Sequence, residues 1–197
     1  MLSFDPKEQT ERENYKLLIG SIVPRPIAFV ISRSANGLLN AAPFSYFNVV
    51  SSDPPMISIS VQSRAGTPKD TAQNAIETGE FVVHVVDESN VEQVNRTAAS
   101  LPPDESELDL TDFTLTESEA ITVPGVNEAK VRFECRLEQV VELGGTRLLI
   151  GKVVRFHVDE SIYENGRIHH ELLKPVSRLA GTNYAKLGEV FSIDRPK

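Results

Sequence analysis

The feature that most limits the possible folds of this chain is a pair of long runs in its C-terminal half. Lys130 to Leu143 alternates apolar and polar residues, Gly144-Gly145 supplies a turn, and Arg147 to Val158 returns. That is the pattern of a long β-hairpin, whose side chains point alternately to two faces. Earlier segments extend the sheet. Ile27 to Ser32 is continuously apolar and branched, as expected of a strand covered on both faces. Strands are also expected around Leu38–Ala42, Phe47–Ser51 and Glu80–Val86. Met56 to Val61 sets Ile57, Ile59 and Val61 on one side against Ser58 and Ser60 on the other. In all, about six strands are expected, enough for a small barrel. No glycine-rich phosphate fingerprint follows a strand, so a dinucleotide-binding βαβ fold is not expected.

Gly37 to Pro55 is the most unusual stretch. It opens on the Asn36-Gly37 turn signal and closes on Asp53-Pro54-Pro55, where proline ends a sheet ladder. Pro43 falls in the middle and is expected to break a strand there, leaving backbone groups that need another partner. A polar planar ligand is one such partner; a bulge or a turn is the other.

Arg64 to Gly79 reads as a loop and a helix. Thr67 suits the N-cap, Pro68 the first helical position, and Asp70 a capping box; Gly79 suits the C-terminal cap. Ala72, Ala75 and Ile76 form one apolar stripe. Lys69 and Thr71 then share the first turn with free amides and the positive end of the helix dipole, and Arg64 lies just before. Cation, hydroxyl and helix start together suit a phosphate; a capped surface helix with a solvated lysine is the alternative. The stretch is not a P-loop.

Elsewhere, residues 1–14 are expected to be irregular, with a single helical turn over Tyr15–Ile22. Pro24 and Pro26 fix the direction of Arg25, whose guanidinium is either solvated or part of a site. His84 fits a core or subunit-contact role. Glu88–Ala99 reads as a helix with Val91, Val94, Asn95 and Ala98 on one face. Leu101 to Pro124 is acidic and aperiodic, and reads as a surface excursion, with a lid as one option. Its Asp104, Glu105, Glu107, Asp109 and Asp112 are expected to be solvated. Cys135, the single cysteine, excludes an internal disulfide and fits a small core residue. His169-His170 lacks metal-ligand spacing, so no metal is expected.

The 197 residues are 40% hydrophobic and 24% charged, as in ordinary globular proteins, with a formal charge of −8. That charge argues against nucleic acid or an anionic membrane as the main partner. No apolar run reaches a bilayer-spanning length and the N-terminus lacks a signal-peptide pattern, so a cytoplasmic location is expected.

Asn40-Ala41-Ala42-Pro43-Phe44-Ser45-Tyr46-Phe47-Asn48, followed by Ser51-Ser52-Asp53-Pro54-Pro55, resembles the signature of the flavin reductase-like family. It is most similar to the branch of nitrilotriacetate monooxygenase component B and flavoredoxin. Lys69-Asp70-Thr71 resembles that family's FMN-phosphate motif. The segment from Arg178 to Tyr184 resembles its closing motif, with Ala180 in place of a glycine. The resemblance implies a single domain over residues 1–197, mainly β with helices: an FMN-binding split β-barrel of Greek-key type. It implies non-covalent FMN, with the phosphate on Lys69, Thr71 and Arg178 and secondary contributions from Ser60 and Arg64. The ring edge would meet Ala42, Pro43 and Ser45, Asn48 would lie near the ribityl chain, and Tyr184 would approach the flavin. It further implies a homodimer with FMN near the interface, NAD(P)H as a substrate, and a monooxygenase or other redox partner. No catalytic acid or base is assigned. Dedicated reductases of the family carry Asp-His before the last long strand, whereas Thr146 stands here. A flavoredoxin-like electron carrier, or a split-barrel binding module without flavin, therefore remain as alternatives.

Overall fold

The computed structural model describes residues 1–63, 69–102 and 104–196. The arm expected over residues 1–14 gives way at Glu11 to a full helix, α1 (Glu11–Ser21). Its signal is a capping box: the Thr10 hydroxyl accepts from the Glu13 amide while the Glu13 carboxylate accepts from the Thr10 amide. The Arg25 guanidinium, only 6% exposed, donates to the carbonyls of Ile19, Ile22 and Leu179. It closes the end of α1 and ties the C-terminal segment beside it, satisfying carbonyls a helix end leaves open.

Seven strands form the main sheet: β1 (Ala28–Arg33), β2 (Leu39–Phe44), β3 (Phe47–Ser52), β4 (Pro55–Gln62), β5 (Glu80–Val85), β6 (Val131–Leu143) and β7 (Thr146–Val158). That is one more than the expected six. The order is β2-β1-β5-β6-β7-β4-β3, antiparallel throughout, with the long β6–β7 hairpin at its centre. The two edges, β2 and β3, are consecutive in sequence and separated by Ser45 and Tyr46 alone. So short a link reaches roughly 11 Å, which forces the two edges together at that end. The sheet therefore curls towards a barrel, but the ladder stays open between β2 and β3, and the barrel is split there.

Strand β1 shows why its sequence is apolar at every position. Ala28 and Val30 face one core with Ile57, Ile59, Phe81, Val83 and Leu149, whereas Phe29 and Ile31 face a second with Val82, Val94, Ile121 and Val126. Gly151 on β7 allows a close approach, since a Cβ there would lie 2.4 Å from the Phe81 ring. Cys135 is fully buried in the first core, and burial pushes its thiol pKa far up, as suits a core residue. His84 is likewise fully buried. Its Nε2 accepts from the Val126 amide, so its Nδ1 carries the proton and donates to the Phe29 carbonyl. Desolvation pulls its pKa down to about 3. It is a neutral core histidine.

Helix α2 (Asp70–Thr78) ends at Gly79 in the left-handed region, as expected. The helix starts later than expected: Lys69, placed by the sequence in the first turn, is the N-cap and makes no capping bond through its side chain, and Asp70 is the first helical residue rather than the third position of a capping box. Thr67, Pro68 and Arg64, to which the sequence reading assigned the cap, the first turn and a phosphate contact, lie outside the described residues. Helix α3 (Val91–Arg96) is shorter than expected.

The acidic excursion is pinned to the sheet at several points. The Ser106 hydroxyl donates to the Leu39 carbonyl, and Glu107 accepts from the Ala41 amide. Glu134 of β6 accepts from the amides of Glu119 and Ala120, and Glu80 accepts from the amide and hydroxyl of Thr122. The excursion's own Ile121 and Val123 are buried in the second core. Glu107 is 8% exposed, which corrects its expected place on a solvated face. The segment thus serves as a strap over the open edge of β2, a usual way of blunting an edge strand.

Candidate functional site

Strand β2 forms one wall of the site, and register explains how it carries a proline. Within a strand, the N–H and C=O groups of alternate residues point to the same side. The Leu39 carbonyl and Ala41 amide both reach outward to the strap, so Pro43 faces outward as well. Its missing N–H is therefore not demanded by the ladder, and the strand continues unbroken through Phe44. The expected break at Pro43 is absent. What remains is an edge carbonyl, with no amide beside it, on the cavity side.

Two adjoining cavities meet here. One, of about 320 Å³, is lined by Pro43, Ser45, Ser60, Lys69, Arg178 and Tyr184 among others. The other, of about 680 Å³, takes in Ala42, Pro43, Lys69, Thr71, Asn40 and Glu107. Pro43, Gln62, Lys69 and Ala98 border both. Eight of the ten sequence-predicted residues therefore converge on one region. Asn48 does not join them: it lines a third, largely apolar cleft of about 360 Å³ with Leu18, Ile22 and Phe47, and its side chain accepts from the Val49 amide. Ser45, Tyr46 and Ser60 border both that cleft and the cavity of about 320 Å³.

The start of α2 supplies the positive corner. The amides of Ala72 and Gln73 turn back to the Lys69 carbonyl, so Asp70 and Thr71 hold the amides a helix leaves to outside partners. Lys69 Nζ lies 5.5 Å from the Phe44 ring centroid, a cation–π contact that leans the ammonium over β2. The Thr71 hydroxyl is placed differently from its expected role. Thr71 is 2% exposed and its Oγ1 donates to Asn40 Oδ1 at 2.6 Å.

The C-terminal segment supplies the second cation. Arg25–Pro26 pairs with β8 (Val176–Arg178), which pairs with β9 (Tyr184–Lys186). Arg178 stacks on the Tyr184 ring at 4.4 Å and donates to the Gly181 carbonyl. The Tyr184 hydroxyl donates to Asn95 of α3 at 2.8 Å. This clasp fixes a planar, cationic wall on the cavity that Pro43 also lines.

Sequence reasoning missed Gln62, Tyr46, Asn95, Asn40 and Glu107. Gln62 continues the polar side of β4 after Ser58 and Ser60, and Asn95 already stood on one helix face with Ala98, so both had a signal. Tyr46 has its phenol pKa raised, chiefly by burial and further by Tyr15, with Arg25 opposing. Nothing local singles out Glu107 from its acidic neighbours. Among the described residues no group of three or more His, Cys, Asp or Glu side chains could hold a metal ion. His169 pairs with Glu164 at 3.3 Å.

A curled antiparallel sheet left open between its two edge strands is the split-barrel architecture, and the fold matches a split-barrel protein of Shewanella frigidimarina with TM-score 0.86 (20% identity, 100% of both chains). The chain matches the flavin reductase like domain over residues 19–173 and belongs to that family. It is 61% identical to nitrilotriacetate monooxygenase component B from Bacillus cereus, with TM-score 0.96 and 98% of each chain covered. It is 32% identical to 2-nitrobenzoate 2-nitroreductase of Pseudomonas fluorescens, with TM-score 0.90, covering 99% of this chain and 96% of that one.

Proposed function

We propose that this chain binds FMN non-covalently and uses it to pass reducing equivalents from NAD(P)H to an acceptor. One observation carries the reading: Lys69, at the start of α2, shares a cavity with the outward edge of Pro43 and the Arg178–Tyr184 stack. The donor set fits the cofactor. Lys69 and the amides of Asp70 and Thr71 would hold the phosphate. The backbone of Pro43 and Ser45 would meet the ring edge, flanked by Ala42, and Ser60 and Arg178 would face the polar rim. Arg64 remains a candidate phosphate contact by resemblance. When bound, FMN supplies the redox chemistry; the protein positions it and limits the approach of water.

Thr146 favours a second reading. It opens β7 and pairs with Gln62 at the cavity border, where a nicotinamide-seating histidine would stand in dedicated reductases. A flavoredoxin-like carrier needs no such residue. Likeness to a monooxygenase component B supports a monooxygenase as the protein receiving the electrons. A second copy of the chain would cover Leu18 and Ile22 of the apolar cleft and Val49 and Val50 of β3, which are 49–72% exposed.

The purified protein should absorb as a yellow flavoprotein after incubation with FMN, and Lys69→Ala should weaken FMN binding by about 1.5–3 kcal/mol. An unchanged Kd removes Lys69 from the site. In stopped flow, NADH or NADPH should bleach the bound flavin; failure of both leaves the carrier.

A further inference from the structure

Thr71 gives its hydroxyl hydrogen to another protein side chain at the cavity wall. Its Oγ1 donates to Asn40 Oδ1 at 2.6 Å, and Asn40 Nδ2 donates to Glu107 Oε2 at 2.9 Å. The same carboxylate oxygen accepts from the Ala41 amide at 3.1 Å. A carboxylate can only accept, so Glu107 sets which way the Asn40 amide points, and that in turn sets the Thr71 hydroxyl as a donor. Ser32 extends the group: its hydroxyl lies 3.4 Å from Asn40 Oδ1 and accepts from Asn74 of α2 at 3.2 Å. The chain of bonds has one direction, and it runs from the first turn of α2 across β2 to the strap.

We infer that Glu107 and Asn40 are positioning residues for the phosphate corner, holding the first turn of α2 so that its Thr71 amide, rather than its hydroxyl, faces the phosphate. The inference rests on the FMN reading above and adds a working part to it. The strap that covers the β2 edge thereby becomes part of the cofactor site. It also assigns Thr71 a role different from the one its motif suggests.

Riboflavin, which lacks the phosphate, makes the test specific. Full-length protein freed of flavin is titrated with FMN and with riboflavin. Wild type should prefer FMN. Glu107→Ala should bind FMN about tenfold more weakly, the scale of one lost hydrogen bond to a charged group, with riboflavin affinity unchanged. Glu107→Gln should restore FMN affinity, because an amide oxygen can accept from both Ala41 and Asn40. Equal losses for both flavins, or no loss for either in folded Glu107→Ala, would overturn the inference. If Glu107→Ala does not fold, Thr71→Val, Asn40→Ala and their double variant decide. Non-additive losses of FMN affinity are expected, since both act through one bond; additive losses would place the Thr71 hydroxyl on the phosphate itself. Wild type binding neither flavin removes the FMN reading and this inference with it, whereas normal FMN preference in wild type and in Glu107→Ala removes the inference alone.

Discussion

Two buried glutamates fasten the same strap to the sheet, from opposite directions and with opposite electrostatics. Glu107 belongs to the strap and reaches into β2; Glu134 belongs to β6 and reaches out to the strap. Burial raises the Glu107 pKa, assisted by the charge of Asp70, and its bonds from Ala41 and Asn40 only partly offset this. Burial would also raise Glu134. There the amide of Glu119, the His157 ring and the amide of Ala120 together outweigh it, and its pKa lies below the ordinary value. The His157 contact is 2.6 Å and the two amides lie at 2.8 and 2.7 Å. Burial alone does not set a carboxylate's state. The number and charge of the donors that meet it do. Glu134 is a structural bolt, whereas Glu107 sits beside the site at some electrostatic cost.

Removing Glu134 should have the larger effect. Glu134→Ala leaves two strap amides and His157 without their acceptor and should lower unfolding free energy by about 3–5 kcal/mol, read by denaturant titration. A loss no larger than that of Glu107→Gln would refute the contrast.

Acid sharpens it. A lowered native pKa makes the Glu134 contribution fully present above the ordinary glutamate value of about 4.3 and lost as pH falls through the native one. The stability gap between wild type and Glu134→Gln should therefore shrink below about pH 4. Glu107 has the opposite sign. Its burial penalty is present above its raised pKa and relaxes as pH falls towards about 4.3. Any advantage of Glu107→Gln over wild type should be greatest near neutral pH and fade on acidification.

The smallest effect is Glu107→Gln at pH 7, which should change stability by less than about 1 kcal/mol, since it removes a poorly compensated charge while keeping an acceptor. A thermal or denaturant midpoint well below wild type would show that the charge itself holds the strap.

Much of the sheet could be read from local pattern. The β6–β7 hairpin follows from alternation around Gly144-Gly145, and the unbroken apolar run of β1 announced two covered faces, which the two cores supply. Gly79 ended α2 where a left-handed cap was expected. Pro43 misled, because a proline stops a strand only where the ladder needs its amide, and which side of β2 faces outward is decided by pairing with β1. The capping box of α1 was written at Thr10 and Glu13 but stood in a polar stretch without strong amphipathy. For the site, the motif residues Pro43, Ser45, Lys69, Thr71, Arg178 and Tyr184 do gather in one region, whereas Asn48 turns to the neighbouring cleft.

Sequence alone determined the elements whose causes lie within a few residues: alternating faces, glycine turns, a helix start bearing Lys69, and membership of the flavin reductase-like family. Tertiary structure alone decided the partners of polar groups. Thr71 bonds to Asn40, 31 residues away, and Glu107 reaches Ala41 across 66. Hydrogen bonds are short-ranged and directional, so whether a hydroxyl serves a ligand or the protein depends on what the fold brings within about 3 Å of it.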